Sequence, residues 1–189
     1  MLQWINTRWP GLRHKLLKPF IFKVNPNKVT LLALLVAIAA GLALWQQLLL
    51  LAALLIFLNG FLDILDGEIA LRYGKSKRGD LLDHTTDRLA DIAIIAGIIA
   101  GGFVNMLIGL QALVIILLVS FIGTEAQALT EKRLYAGLLG RADRLLLLAI
   151  GSAAEVLWPG SLLLIVIIVV VLSAITFGQR FATLWCSLR

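Results

Sequence analysis

From Val29 onward the chain is a succession of long apolar runs broken by short polar turns, and this pattern limits what it can fold into. In lipid, each segment must satisfy its own backbone N–H and C=O groups, so such runs read as membrane helices of about 20 residues. They fall at about 29–45, 48–71, 81–101, 106–128, 143–157 and 161–178. Gln46–Gln47, Gly101–Gly102 with Asn105, and Pro159–Gly160 mark turns between them. Charged types make up 15% of the 189 residues and hydrophobic types 60%, whereas a soluble domain is about a quarter charged. A soluble globular domain, a disordered chain and a coiled coil are excluded. The expectation is an all-α integral membrane protein with six transmembrane helices. Cys186, the only cysteine, offers neither an intrachain disulfide nor a metal cluster.

The charges give the arrangement a direction. Six bases and no acid occur in the first 28 residues, interleaved with Leu2, Trp4, Ile5, Trp9, Leu12, Leu16 and Phe20. Residues 1–24 therefore read as an amphipathic interfacial helix attracted to anionic lipid, followed by a six-helix domain over 25–189. No apolar core follows a short basic start, so the segment does not read as a cleavable signal peptide. The 17 bases fall in this segment, around 72–78, at Arg88, across 132–144 and at the C-terminus, while the three turns above carry none. With six spans, all these places lie on one side, which the excess of Lys and Arg makes cytoplasmic. Trp45 and Trp158 fall at the opposite interface and Trp185 at the cytoplasmic one.

Seven of the 11 acids lie between positions 63 and 91: Asp63, Asp66, Glu68, Asp80, Asp83, Asp87 and Asp91. Each ionised carboxylate at mid-bilayer costs about 2.5–3.5 kcal/mol even on the lenient insertion scale. Such a group of acids requires a hydrated cavity near the interface and a cation to hold it. Asp63 and Asp66 share one face near the end of the second run, and Asp83 and Asp87 share one face at the start of the third. A short loop makes the two helices antiparallel neighbours, so both pairs reach the same depth. Facing carboxylates form an oxygen-rich site for Mg²⁺ or Mn²⁺. Gly79 begins the second stripe and permits close approach there. The alternative is salt bridging to Arg72, Arg78 and Arg88. Asp91 reads as a partner of Arg88, and Asp80 as a helix-start residue.

The stretch Asp63-Ile-Leu-Asp66-Gly67-Glu-Ile-Ala70, then Gly79-Asp-Leu-Leu-Asp83-His-Thr-Thr-Asp87, resembles the signature of the CDP-alcohol phosphotransferases, DxxDGxxAR…GxxxDxxxD. Seven of the eight fixed positions are present. Asn25-Pro26-Asn27-Lys28-Val29-Thr30 is similar to the family's entry to its first helix. Leu71 stands where the family has Arg, the Arg follows as Arg72, and the linker to Gly79 is a residue shorter than usual. One residue is a turn of about 100° on a helix, so Arg72 substitutes only if the helix unwinds there.

The resemblance implies transfer of a phosphatidyl-type group from a CDP-linked lipid to a small alcohol, with release of CMP. It implies that Asp63, Asp66, Asp83 and Asp87 hold the metal and that Asp87 takes the acceptor's hydroxyl proton. Asn27, Thr30, Gly67, Ala70, Arg72 and Gly79 would accommodate the CDP-lipid. Four aspartates plus a diphosphate carry about −6, which favours two divalent ions over one. Relatives also make a homodimer an expectation.

Arg141 and Arg144 are i,i+3 at the start of the fifth run, where the helix dipole disfavours cations, so an anion clamp explains them better than chance. Together with Asp143 they are similar to the "RxER" region of the family's inositol-phosphate-using branch. Lys132, Arg133, Arg141 and Arg144 are thus candidates for an acceptor phosphate, on inositol phosphate or glycerol phosphate, in preference to an unphosphorylated acceptor such as serine. The alternative is that these are positive-inside anchors. A cation transporter is the competing class, but its acids should continue across the bilayer, and here the first and last runs carry none.

Overall fold

The computed structural model describes residues 24–74, 76–130 and 137–188. The amphipathic helix expected over 1–24 falls almost wholly outside them, as do Lys132 and Arg133. The described residues form six helices: α1 (Pro26–Trp45), α2 (Leu49–Tyr73), α3 (Lys77–Ala100), α4 (Met106–Thr130), α5 (Arg141–Ala154) and α6 (Ser161–Ser187). The boundaries lie within a few residues of the apolar runs except at α6, which continues nine residues past the expected 178.

Four helices, α1, α2, α4 and α6, are long and apolar enough to cross a membrane. The other two differ for separate reasons. α3 carries Asp80, Asp83, Asp87, Arg88 and Asp91 along its first half. α5 has only 14 residues, about 21 Å, short of the ~30 Å hydrocarbon layer. Many large apolar side chains are exposed along the helices, among them Leu35, Leu42, Leu54, Phe57, Leu107, Leu164 and Val171. This outward apolar surface and the four long helices make the chain a multi-pass membrane protein.

Inside, small residues let backbones meet. α1 buries Ala33, Ala37, Ala40, Gly41 and Ala43 while exposing Leu31, Leu32, Leu35 and Leu42, as helices packing in lipid do when shape rather than the hydrophobic effect drives association. Gly41 and Gly97 bring α1 and α3 into backbone contact: a Cβ on Gly97 would lie 2.6 Å from Gly41 Cα. The principal contacts run α1–α2, α2–α5, α5–α6, α6–α4, α4–α3 and α3–α1, a closed ring. Its interior at one end is apolar, with Ile56, Ile94, Ile98, Ile116, Leu148 and Val166 all buried.

Caps fix where helices begin. Asn25 accepts a hydrogen bond from Asn27 N at 3.0 Å, with Pro26 in the first turn. Ser76 does the same for Gly79 N at 3.0 Å, so Ser76 is the cap of α3 and Asp80 lies in its first turn. α6 has no cap of its own beside Gly160 (φ 95°). Glu155 serves instead, accepting from Gly160 N at 2.8 Å, Ser161 Oγ at 3.1 Å and Leu162 N at 2.6 Å. Trp45 and Trp158 are exposed at this end of the ring and Trp185 at the other.

Candidate active site

α2 and α3 are not the packed neighbours that a short connection suggests: each packs on α1 and they hardly contact one another. Only residues 74–76 separate them, so depth can be counted from that link. Asp63 is ten residues before the end of α2 and Asp87 ten residues after the start of α3, each about 15 Å along its helix. Helical periodicity turns Asp83 and Asp87 to one face. The result is that carboxylate oxygens of Asp63, Asp83 and Asp87 lie within 4.8 Å of one another, each residue half-buried. That separation equals the span of two metal–oxygen bonds of about 2.0–2.6 Å, and an all-carboxylate donor set suits a hard divalent cation. These three residues fit such an ion.

Asp66 stands apart from that trio. It is 5% exposed, and its Oδ2 accepts a 2.7 Å hydrogen bond from Thr30 Oγ1 on α1. Thr30, named from the sequence as a donor-lipid contact, is here a partner of Asp66. Asn27 and Gly79 meet at the same end, a Cβ on Gly79 falling 3.2 Å from Asn27 Oδ1. Gly67 and Ala70 are half-buried and Arg72 is exposed. α2 stays helical through Tyr73, with Gly74 N bonded to Ala70 O at 3.0 Å. Arg72 therefore does not unwind into the place of Leu71, which is exposed.

Cations do reach the acids, but not the expected ones. Arg72 and Arg78 are exposed. Arg88 turns to α4, donating to Ser120 O at 3.3 Å and Thr124 Oγ1 at 3.1 Å, and also to His84 O. The expected Asp91–Arg88 pair does not form: although i,i+3 spacing would allow it, Arg88 is drawn to Ser120 and Thr124 of α4 while Asp91 takes its partner from α5. Asp91 is bound by Arg144 from α5, Nη2 to Oδ2 at 2.5 Å, both side chains no more than 3% exposed. Arg141 Nη1 sits 2.6 Å from Asp63 Oδ1 and 2.9 Å from Asp87 Oδ1. The first residue of the short α5 thus lies at the depth of the acids. Arg141 and Arg144 do face one way, as their spacing requires, but Arg144 is committed to Asp91. Asp143 Oδ2 accepts from Gly140 N at 3.3 Å, which makes it a helix-start partner.

His84 stands beside Asp80, Nε2 to Oδ2 at 3.7 Å, and Gln127 of α4 donates to the same oxygen at 3.0 Å. Sequence reasoning missed the Asp91–Arg144 pair and the Arg141 bridge. The i,i+3 arginines were the visible half of the signal, but their partners lie more than 50 residues away in the chain.

Chemically, the arrangement is a nest of carboxylates suited to a divalent cation, its oxygens met by a guanidinium that is itself suited to phosphate. Comparison with known proteins agrees. The family model for CDP-alcohol phosphatidyltransferase matches residues 23–186. The archaetidylinositol phosphate synthase of Methanothermobacter thermautotrophicus is 36% identical over 163 residues, 85% of this chain and 83% of that one. The corresponding synthase of Pyrococcus horikoshii is 34% identical, over 83% and 81% of the two chains. The crystal structure of Mycobacterium tuberculosis phosphatidylinositol phosphate synthase with CDP-DAG bound superposes with a TM-score of 0.76 at 27% identity, over 93% of this chain and 92% of that one. The same enzyme in complex with manganese and citrate gives 0.75 at 28%, over 93% and 88%. With the motif, the helical ring and the carboxylate trio in place, a match over nearly the whole chain settles the relationship: the chain belongs to the CDP-alcohol phosphatidyltransferase family.

Proposed function

We propose that the chain moves the phosphatidyl-type group of a CDP-linked lipid onto inositol phosphate and releases CMP, a step of phospholipid synthesis. The observation that carries this is the meeting of Asp63, Asp83 and Asp87 within 4.8 Å across two helices. Arg141 on α5 adds a phosphate-seeking group beside them. The relatives named as inositol phosphate synthases support inositol phosphate over glycerol phosphate or serine.

Phosphoryl transfer asks a protein for positioning and charge neutralisation more than for covalent help. Asp87 takes the proton from the acceptor hydroxyl, whose oxygen bonds to the lipid-side phosphorus as the bond to CMP breaks. Asp63, Asp66, Asp83 and Asp87 would hold Mg²⁺ or Mn²⁺, two ions at saturation, and Thr30 orients Asp66 from α1. Bound metal would polarise the diphosphate and neutralise the departing CMP. Asn27, Gly67, Ala70, Arg72 and Gly79 border the donor's place near the α2–α3 turn. Arg141 and Arg144, with Lys132 and Arg133 from the stretch of sequence before α5, would serve the acceptor phosphate.

In this reading the chain crosses the bilayer six times, α3 shielding its charges inside the ring and the 14-residue α5 completing its crossing through the turn that leads to α6. Residues 1–24 lie along the inner leaflet, and both termini and the site face the cytoplasm. The working unit is a homodimer. The test is CMP release by purified protein given CDP-diacylglycerol or CDP-archaeol, against inositol phosphate, glycerol phosphate, serine and inositol, with Mn²⁺, Mg²⁺ or chelator. CMP should appear with inositol phosphate and a divalent ion. Equal release with inositol would refute the phosphorylated acceptor. Mn²⁺ anomalous diffraction at saturation should give two peaks.

A further inference from the structure

Asp91 occupies no position of the family motif, and it lies one helical turn deeper than Asp87 on α3. Its carboxylate is 3% exposed and pairs with both arginines of α5: Arg144 Nη2 donates to Oδ2 at 2.5 Å, and Arg141 Nε stands 3.8 Å from Oδ1, near enough to attract but not hydrogen-bonded. α3 and α5 are not principal neighbours in the ring. Long side chains, rather than backbone packing, therefore set where the arginines of α5 stand relative to the acids of α3. Arg144 is held there through Nη2. Arg141 is divided, because its Nη1 uses oxygens of Asp63 and Asp87 at 2.6 and 2.9 Å. A divalent ion would take the same lone pairs at about 2.0–2.6 Å. Two cations that close, on shared oxygens, repel strongly in a half-buried site. Arg141 must withdraw when the ion enters, and Asp91 Oδ1 is the anion that stays within reach of its Nε.

We propose, on the reading that an acceptor phosphate binds beside α5, that Asp91 is a positioning residue: it fixes Arg144 and retains Arg141 when the ion takes Asp63 and Asp87. The freed Nη groups of Arg141 then meet the acceptor phosphate. Ion and phosphate reinforce each other's binding, since the ion releases the guanidinium and the phosphate keeps it from returning.

The test reads Mn²⁺ binding to the detergent-solubilised full chain by electron paramagnetic resonance, with no donor lipid present. Asp91→Leu combined with Arg144→Met removes one charge of each sign, and apolar replacement of a buried pair generally preserves folding. The paired variant should bind Mn²⁺ about tenfold more weakly, the loss of one charge-assisted contact. Adding Arg141→Gln should restore binding to at least the wild-type level. Arg141→Gln alone, which keeps the Asp91–Arg144 pair, should bind Mn²⁺ more tightly than wild type. Wild-type Mn²⁺ affinity should rise when inositol phosphate is added, and the paired variant should lose that rise. Wild-type Mn²⁺ binding in the paired variant, or no gain in Arg141→Gln, overturns the role of Asp91. If inositol phosphate leaves wild-type Mn²⁺ affinity unchanged while both variant results hold, Asp91's hold on Arg141 stands and the phosphate-acceptor reading fails.

Discussion

Gly97→Ala should destabilise the protein, although alanine is the better helix former. In a helix interior, Ala gains about 0.8–1.0 kcal/mol over Gly. Gly97, however, faces the backbone of α1: a Cβ there would lie 2.6 Å from Gly41 Cα and 2.8 Å from Gly41 C. Carbon atoms pack at about 3.5–4.0 Å, so α1 and α3 must separate by roughly 1 Å. Neither partner atom belongs to a side chain that can turn away. The cost falls at the upper part of the overpacking range, about 2–3 kcal/mol, leaving a net loss of about 1–2 kcal/mol after the propensity gain. Gly178 supplies the control, since a Cβ there meets nothing within 4 Å, and Gly178→Ala should gain about 1 kcal/mol. In thermal unfolding of detergent-solubilised protein followed by circular dichroism, each kcal/mol is worth about 2–4 °C for a chain of this size. Gly97→Ala should melt about 2–8 °C below wild type and Gly178→Ala about 2–4 °C above it. The same separation shifts Asp83 and Asp87 on α3 away from Asp63 on α2, so CMP release should fall in Gly97→Ala alone. Equal or higher melting of Gly97→Ala would refute the backbone-contact argument.

Asp63→Asn and Asp87→Asn should each abolish CMP release while the protein still elutes as a folded species, because both remove an oxygen donor from the trio. Chelation should stop CMP release reversibly, with activity returning on addition of Mn²⁺. Thr30→Val removes the 2.7 Å bond to Asp66 and should weaken Mn²⁺ binding about 10–100-fold, as loss of an outer partner does elsewhere; an unchanged titration would free Asp66 from any ligand role. Glu155→Ala leaves the first N–H groups of α6 without the acceptor that now serves them and should cost about 1–2 kcal/mol by thermal unfolding, with kcat unchanged.

The apolar runs and their turns were legible because lipid imposes one rule, that backbone groups be satisfied within each segment. Helix number, the approximate ends of α1 to α5 and the shared depth of Asp63, Asp83 and Asp87 all follow from that rule and from helical periodicity. The chemistry of the site was legible for a related reason. Carboxylates in an apolar setting are too costly to be incidental, and their spacing survives in one dimension.

Other features depended on which helices meet. Nothing local to Asp91 distinguishes Arg88, three residues away, from Arg144, more than 50 away; only the ring, which places α5 opposite α3, selects the second. The same holds for Thr30 on Asp66, Glu155 on the start of α6 and Gly41 on Gly97. The sequence by itself determined a helical membrane protein with a cation-seeking acidic centre, because period and solvation cost are local properties. Tertiary structure decided which arginine touches which acid and how closely α1 and α3 approach, because those depend on contacts between segments distant along the chain.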